Sequence, residues 1–241
     1  MTKLDILAFG AHPDDIELCT GGLLAKMARQ GRWVGAVDLT RGEGASRGTV
    51  AEREQEAQTA AQILGLAVRE NLALPDLQLQ DTVEFRLRVA EVIRRYRADL
   101  ILAPYWGDRH PDHAATSQLV TAGAFYARLP RIETGHPPYS PRAVLYYLLH
   151  ENVPPTFIVD ISEVFEQKMQ AIAAYQSQFG RAMPAGYRFI GTSDYLAETE
   201  ARARYFGTCI HTRYGEAYLL KEALRVDDPL RLLRGEEGNQ P

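Results

Sequence analysis

The sequence has few of the features expected of a disulfide-stabilised, membrane-spanning or nucleic-acid-binding protein. Only two of its 241 residues are cysteines, Cys19 and Cys209. The apolar stretch Leu4–Phe9 is too short for a signal peptide and has no cleavage site after it, so the two thiols are expected to be free. No apolar run approaches the roughly 20 residues that cross a bilayer. We therefore expect a cytoplasmic protein that does not bind a membrane.

The charge distribution argues against nucleic acid as the main partner. The chain has a net charge of −4 and lacks any run rich in Lys and Arg. Its 46% hydrophobic and 24% charged residues are typical of a globular protein. A chain of this length can bury most of its apolar surface without a disulfide or a structural metal. Any metal that it binds is therefore available for catalysis. We expect one domain over residues 1–241, with a loose tail at 227–241.

The first half of the chain alternates strand-like and helix-like segments. The predicted strands are Leu4–Phe9, Trp33–Leu39, Val68–Leu74 and Asp99–Ala103. The predicted helices are Glu17–Gln30, Thr49–Leu64 and Asp81–Tyr96, the last two opened by capping boxes at Thr49/Glu52 and Asp81/Glu84. Such alternation predicts an α/β fold with a Rossmann-like, mostly parallel sheet and helices on both faces.

The second half is predicted less regularly. A loop is expected over the proline-rich segment 129–141, followed by strands Ala143–Leu149 and Phe157–Ile161. A helix capped by Ser162 and another over Tyr195–Tyr205 complete the prediction. We expect antiparallel additions to the sheet in this half.

Two histidine–aspartate clusters follow predicted strands. The first, His12-Pro13-Asp14-Asp15, ends the first strand, and Pro13 favours extended backbone at His12. The second, His110-Pro111-Asp112-His113, follows the fourth strand, and Pro111 suits the first turn of a helix. In open parallel sheets, binding sites form beyond the carboxyl ends of strands, so the two clusters are expected to meet.

The residue types in these clusters indicate a catalytic metal. Catalytic zinc usually has three protein ligands and one open position, and His12, Asp15 and His113 supply three. Asp14 and His110 are then candidates for acid–base chemistry. Fe²⁺ also binds sites of this composition, so the identity of the metal stays open between zinc and iron.

The twin motifs resemble those of the LmbE-like (PIG-L) zinc-dependent N-deacetylases, which act on N-acetylglucosamine-containing substrates. Four further segments resemble the bacillithiol-pathway branch, which deacetylates N-acetylglucosaminyl-malate: Thr40-Arg41-Gly42-Glu43, Gly48-Thr49 with Arg53, Gly107-Asp108-Arg109 and Tyr214-Gly215-Glu216-Ala217-Tyr218. The resemblance spans nearly the whole chain and implies a homo-oligomer, often a hexamer.

The resemblance also implies roles for individual residues. His12, Asp15 and His113 would bind zinc, and Asp14 would be the general base that takes a proton from water. His110, oriented by Asp112, would stabilise the oxyanion in its protonated form, and either Asp14 or His110 would protonate the leaving amine. The substrate contacts are expected to come from Arg109, Arg53, Glu43 and Tyr195, with the two arginines facing the carboxylates of an anionic amino-sugar.

Two other functions compete with this interpretation. The same family chemistry could act on another sugar amide, such as a chitobiose end or an S-conjugate. Alternatively, the chain could be a nucleotide-binding or metal-sensing module on a Rossmann-like sheet. No G-x-G-x-x-G follows the first strand, and Gly21-Gly22 lie too far along the predicted helix to replace it. His136, His150 and His211 lie outside the motifs and are expected to be structural.

Overall fold

The computed structural model describes residues 3–180 and 194–230. Its strands are β1 (Ile6–Gly10), β2 (Val34–Thr40), β3 (Val68–Leu74), β4 (Leu100–Pro104), β5 (Ala143–Tyr147), β6 (Phe157–Asp160) and β7 (Gly215–Leu219). Its helices are α1 (Asp15–Arg29), α2 (Val50–Leu64), α3 (Val83–Tyr96), α4 (Pro111–Ala127), α5 (Phe165–Ala173) and α6 (Tyr195–Cys209), with a π-helical turn at Gln176–Gly180.

The strands form one sheet in the order β3-β2-β1-β4-β5-β7-β6. Strands β3, β2, β1, β4 and β5 are parallel, whereas β7 runs antiparallel to both β5 and β6. The predicted α/β class and the antiparallel additions in the C-terminal half are confirmed. After β1 the chain builds the sheet outwards to β3 and then returns to the other side of β1 with β4. The crevice between β1 and β4 is therefore a topological switch point, where open α/β sheets bind ligands.

Strand β1 is buried on both faces because helices cover both sides of the sheet. Leu7 and Phe9 pack in the layer formed with α3 and α4, while Ile6 and Ala8 pack in the layer that contains Ile16 of α1. Successive side chains along a strand point to opposite faces, which accounts for this division. A fully apolar strand of this kind is expected in a parallel sheet with two helical layers.

Local capping chemistry fixes where several helices begin. The Thr49/Glu52 capping box is present as predicted, with both reciprocal hydrogen bonds made. At α3 the predicted Asp81/Glu84 box is wrong by one residue, because the hydroxyl of Thr82 accepts from the amide of Phe85 while Asp81 pairs with Arg86.

The C-terminal half departs from the prediction at three points. Ser162 does not cap α5, because its hydroxyl donates to Asp160 and the helix begins only at Phe165. Strand β7 was not predicted, although it joins β6 to the rest of the sheet. Helix α6 continues past Tyr205 to Cys209.

The remaining predictions concern the cysteines, membrane helices and the tail. Both cysteines are free thiols, with Cys19 buried and Cys209 exposed. Across residues 3–180 and 194–230, every helix is too short or too polar to cross a membrane. Of the tail expected at 227–241, residues 227–230 are exposed and the rest lies outside the described residues.

Candidate metal centre and active site

The switch point between β1 and β4 brings together the three predicted metal ligands. His12 follows β1, Asp15 opens α1, and His113 lies in the first turn of α4 after β4. Nδ1 of His12 lies 3.4 Å from Oδ2 of Asp15, and Nε2 of His113 lies 3.3 Å from Oδ1 of the same carboxylate. One donor atom from each of the three residues falls within 4.8 Å of the other two. Residues from separate motifs, about 100 positions apart, thus share one centre.

Both histidines are held by carboxylates on the ring edge that faces away from this centre. Nε2 of His12 lies 3.1 Å from Oδ1 of Asp76 and 3.4 Å from Oδ2 of Asp112. Nδ1 of His113 lies 3.3 Å from Oδ1 of Asp108. Such partners fix the tautomer and the orientation of a metal-binding imidazole. Nδ1 of His12 and Nε2 of His113 are therefore the nitrogens free to bind a metal.

The donor atoms are close enough for one metal ion to bind them. Each histidine nitrogen lies 3.3–3.4 Å from a different oxygen of Asp15, and two ligand atoms bound at about 2.0–2.1 Å to one zinc ion are about that far apart. The orientation of the Asp15 carboxylate is also fixed, because its Oδ2 accepts hydrogen bonds from the backbone amides of Ala11 at 3.0 Å and His12 at 2.9 Å. Three protein ligands with an open fourth position are the arrangement of catalytic rather than structural zinc.

The electrostatics of the centre favour a cation. Burial lowers the pKa of His113, but the charge of Asp15 and hydrogen bonds to Asp108 and Asp15 outweigh burial and raise it to about 9. Burial likewise lowers the pKa of His12, yet its carboxylate partners raise it well above the ordinary value. Both shifts report the negative potential of the surrounding carboxylates, and the same potential attracts a metal ion.

Asp14 lies beside the three ligands and is bound to Arg53. Its Oδ2 accepts from Nη2 of Arg53 at 2.7 Å, and the same Nη2 donates to the carbonyl of Pro13 at 2.9 Å. Asp14 occupies the N-cap position of α1 without capping it, and its backbone has φ of 117°. Positive φ at a non-glycine residue costs of order 1–3 kcal/mol and is found mostly at functional sites. Burial raises the pKa of Asp14 to about 6, although the charge of Arg53 opposes the shift.

His110 is oriented by a backbone amide rather than by the carboxylate predicted for it. Its Nδ1 accepts from the backbone amide of Asp112 at 3.2 Å. The carboxylate of Asp112 instead accepts from the amide of Leu77 at 2.9 Å and lies against His12. The prediction that the Asp112 carboxylate orients His110 is wrong, because the first turn of α4 directs that carboxylate towards His12.

The protonation expected for His110 also needs correction. Burial and the charges of His113 and His12 lower the pKa of His110 to about 4. Burial and these neighbouring charges favour the neutral form of His110 over the protonated form expected for it. Because Nδ1 accepts a hydrogen bond, the single proton of the neutral ring lies on Nε2, which remains a hydrogen-bond donor.

A cavity of about 290 Å³ opens over the metal ligands, Asp14 and His110. Its lining includes Arg47 from the loop after β2, Gln178, which exchanges hydrogen bonds with Arg47, and Phe179 and Tyr195. This volume is at the small end of the range for small-molecule sites. A group the size of one sugar amide fits this volume.

The four residues predicted to contact substrate have different positions. Tyr195 and Arg53 line the cavity, although Arg53 is committed to Asp14. Arg109 is exposed on the loop before α4, and its charge acts on Tyr195. Glu43 is outside the lining, because its two oxygens accept the backbone amides of Arg41 and Asp76. The prediction that Glu43 binds sugar hydroxyls is therefore not supported, since its carboxylate stabilises the loop after β2 instead.

Three functional candidates were not identified from the sequence. Asp76 and Asp108 hold the two histidines predicted to bind the metal, and His150 lines the cavity with its ring stacked on His113. His150 was expected to be structural. It follows β5, next to β4 in the sheet, so its place at the carboxyl end of a parallel strand was the signal that could have revealed it.

The chain resembles known deacetylases in sequence. The family model described as GlcNAc-PI de-N-acetylase (PIG-L) matches residues 7–124. The diacetylchitobiose deacetylase of Thermococcus kodakarensis is 32% identical over 191 residues, which cover 72% of this chain and 70% of that protein.

Solved structures share the fold. A conserved protein from Thermus thermophilus superposes with a TM-score of 0.84 at 38% identity, over 93% of this chain and 98% of that chain. The N,N'-diacetylchitobiose deacetylase from Pyrococcus horikoshii gives a TM-score of 0.76 at 27% identity, over 88% of this chain and 82% of that chain.

Proposed function

Because the chain belongs to the PIG-L family of metal-dependent N-deacetylases, we propose that it removes the acetyl group from an N-acetylglucosamine conjugate. The substrate we propose is N-acetylglucosaminyl-malate, an intermediate of bacillithiol biosynthesis, and the metal we propose is zinc. The observation that carries the proposal is the convergence of two histidines and one aspartate on a small cavity, beside a buried carboxylate that is not a ligand.

His12, Asp15 and His113 would hold the metal. When bound, the ion supplies Lewis-acid chemistry, by making water more acidic and by polarising the acetyl carbonyl. Asp76, Asp112 and Asp108 keep the two imidazoles in the metal-binding orientation.

Asp14 is proposed as the general base. Its carboxylate lines the cavity next to the ligand Asp15, and Arg53 holds it in one orientation. Since its pKa is about 6, the group is mostly ionised at neutral pH and still accepts a proton readily. After it has taken a proton from the attacking water, the same carboxyl group can deliver that proton to the leaving amine.

His110 is proposed as the hydrogen-bond donor to the oxyanion. A neutral ring with its proton on Nε2 donates one hydrogen bond without being able to supply a proton as an acid near neutral pH. This assignment favours Asp14 over His110 as the residue that protonates the leaving amine. Of the two alternatives left open by the sequence, we propose Asp14.

The anionic part of the substrate would meet cationic side chains at the rim of the cavity. Arg47 lines the cavity, and Arg109 is exposed on the loop before α4, where its charge acts on Tyr195 of the cavity lining. Guanidinium groups suit the two carboxylates of a malyl group because they donate paired hydrogen bonds. Arg53 is less available for this purpose because it already binds Asp14.

The experiment is a comparison of acetate release from N-acetylglucosaminyl-malate and from neutral N,N'-diacetylchitobiose. We expect faster release from the malyl substrate, loss of activity on chelation and recovery on addition of Zn²⁺. Substituting Arg109→Ala should raise KM for the malyl substrate only, while Arg142→Ala, an exposed arginine that precedes β5 and pairs with Asp99 before β4, serves as the control. Equal rates on both substrates, unchanged by Arg109→Ala, would contradict the malyl assignment.

A second candidate is deacetylation of a chitobiose-type sugar. It is favoured by the name of the relative that is 32% identical to this chain, a diacetylchitobiose deacetylase. Faster acetate release from diacetylchitobiose than from the malyl conjugate would support this candidate. The expected homo-oligomer remains a prediction, which sedimentation velocity can test.

A further inference from the structure

His150 contributes a fourth imidazole to the site, at the position where the chain leaves β5. Its Nδ1 lies 2.9 Å from Oδ1 of Asp108, and its backbone amide donates to Oδ2 of the same carboxylate at 3.3 Å. The ring is nearly parallel to that of His113, with centroids 5.2 Å apart and 13° between the planes. His150 is thus fixed both by a buried carboxylate and by a metal-binding residue.

The hydrogen bond to Asp108 determines which edge of the His150 ring is available. A carboxylate only accepts hydrogen bonds, so Nδ1 of His150 carries a proton. Nε2 lies on the opposite side of the ring from this contact. The side chain of Asp108 is 1% exposed, whereas that of His150 is 15% exposed and lines the cavity. The ring edge with Nε2 is therefore the part of His150 that a bound molecule can reach.

The chemistry of this edge suits a hydroxyl group. In the neutral ring Nε2 accepts a hydrogen bond, and in the charged ring it donates one. A hydroxyl group can do either, so it matches Nε2 in both states. The ring also stacks on that of His113, so His150 borders the residues predicted to bind the metal.

We propose that His150 is a substrate-binding residue whose Nε2 binds a hydroxyl group of the sugar that carries the acetamide. The inference rests on the proposed function, because it requires a sugar amide whose acetyl group lies at the metal centre. It assigns His150 to recognition of the sugar ring, whereas the arginines at the rim would recognise the aglycone.

Two substitutions separate this role from a structural one. His150→Asn keeps an amide group near the position of Nδ1 and can retain the bond to Asp108, but it removes Nε2. His150→Gln places its amide near the position of Nε2 and loses the bond to Asp108. We expect His150→Asn to raise KM about three- to tenfold, as for one lost hydrogen bond, with kcat little changed. His150→Gln should retain a KM close to that of the wild type.

Deoxy analogues of the sugar identify the contact. Acetate release is measured for the parent N-acetylglucosamine conjugate and for its 3-, 4- and 6-deoxy forms, with the wild type and His150→Asn. If Nε2 binds one of these hydroxyls, the effect of His150→Asn disappears for the analogue that lacks that hydroxyl. Equal effects of His150→Asn on all four compounds would overturn the assignment.

Metal analysis and the wild-type assay keep the outcomes distinct. We expect the zinc content of both variants to equal that of the wild type. If His150→Gln loses zinc while His150→Asn keeps the zinc content and KM of the wild type, His150 only supports Asp108 and His113. That result would overturn the proposal that His150 binds substrate. An active wild type with two unaffected variants would overturn only this inference. A fully metallated wild type that releases no acetate from any of the sugar amides would overturn the proposed function and the inference together.

Discussion

The guanidinium of Arg53 holds the carboxylate of Asp14 at 2.7 Å inside the protein, with 5% and 13% of the two side chains exposed. The pair connects α2 to the turn after β1, two elements that are far apart in the sequence. A residue expected to bind substrate thus orients the proposed base. Disturbing the guanidinium should therefore affect the rate of the reaction more than the binding of substrate.

Substituting Arg53→Lys should lower kcat by about tenfold to a hundredfold, because a lysine cannot reproduce the charge-assisted bond to Asp14 with the same geometry. KM should change much less. Steady-state kinetics on the preferred sugar amide provide the measurement. A large rise in KM at constant kcat would instead indicate that Arg53 binds substrate directly.

Gly42→Ala tests the same pair without touching either partner. Gly42 has φ of 66°, and a Cβ there would approach Nη1 of Arg53 to 1.9 Å. The added methyl group must displace the guanidinium, so kcat should fall in the same direction as for Arg53→Lys. Gly31→Ala is a matched control, because Gly31 also has a positive φ, 78°, and a Cβ there would meet nothing within 4 Å. Equal activity of the two alanine variants would contradict the proposed coupling.

Asp14→Asn should leave the metal bound and remove most of the activity. The amide occupies the same volume and can still accept a hydrogen bond from Arg53, but it cannot take a proton. We expect kcat to fall by about a hundredfold to ten-thousandfold, the usual contribution of a general base. Metal content, measured by mass spectrometry, should equal that of the wild type. Asp15→Asn is the comparison that should lose metal, and loss from both variants would make Asp14 a ligand rather than a base.

Glu216→Gln should lower stability while sparing the chemistry of the folded enzyme. The Glu216 carboxylate lies 2.6 Å from Nζ of Lys168, with 3% of each side chain exposed, and also accepts the backbone amides of Gly22 and Leu23 in α1. Removing one partner of a buried ion pair costs about 3–5 kcal/mol. Denaturant unfolding measures the change. A stability equal to that of the wild type would show that the pair contributes little to holding β7 against α1.

The convergence of His12, Asp15 and His113 could be predicted from the sequence because the three residues occur in two dense motifs at strand ends. Within each motif a proline restricts the backbone, and the parallel sheet brings the two strand ends together. Asp76 and His150 could not be found in the same way, because each is a single polar residue in a loop. Asp76 acts through its contact with His12, and His150 acts through its contacts with Asp108 and His113. These contacts form only when the sheet brings together strands that are distant in the sequence.

The errors in the prediction arise where two neighbouring groups could make the same contact. Thr82 and Asp81 are adjacent capping residues, and the side chain of Asp81 is used by Arg86 instead. Asp112 is two residues from His110, yet the helical turn directs its carboxylate to His12. His110 was expected to be protonated, but the charges of His113 and His12 lower its pKa. Such competition is decided by tertiary geometry rather than by spacing in the chain.

The cavity is lined by two groups of residues from different parts of the fold, and this separation affects how new substrate specificities could arise. The residues predicted to bind the metal follow β1 and β4, whereas Arg47 and Gln178, which also line the cavity, belong to peripheral segments joined by mutual hydrogen bonds. Changes in those segments alter the shape and charge offered to a substrate without moving the hydrolytic machinery. A library confined to residues 44–47 and 176–179 should therefore yield enzymes with altered substrate range at undiminished metal occupancy.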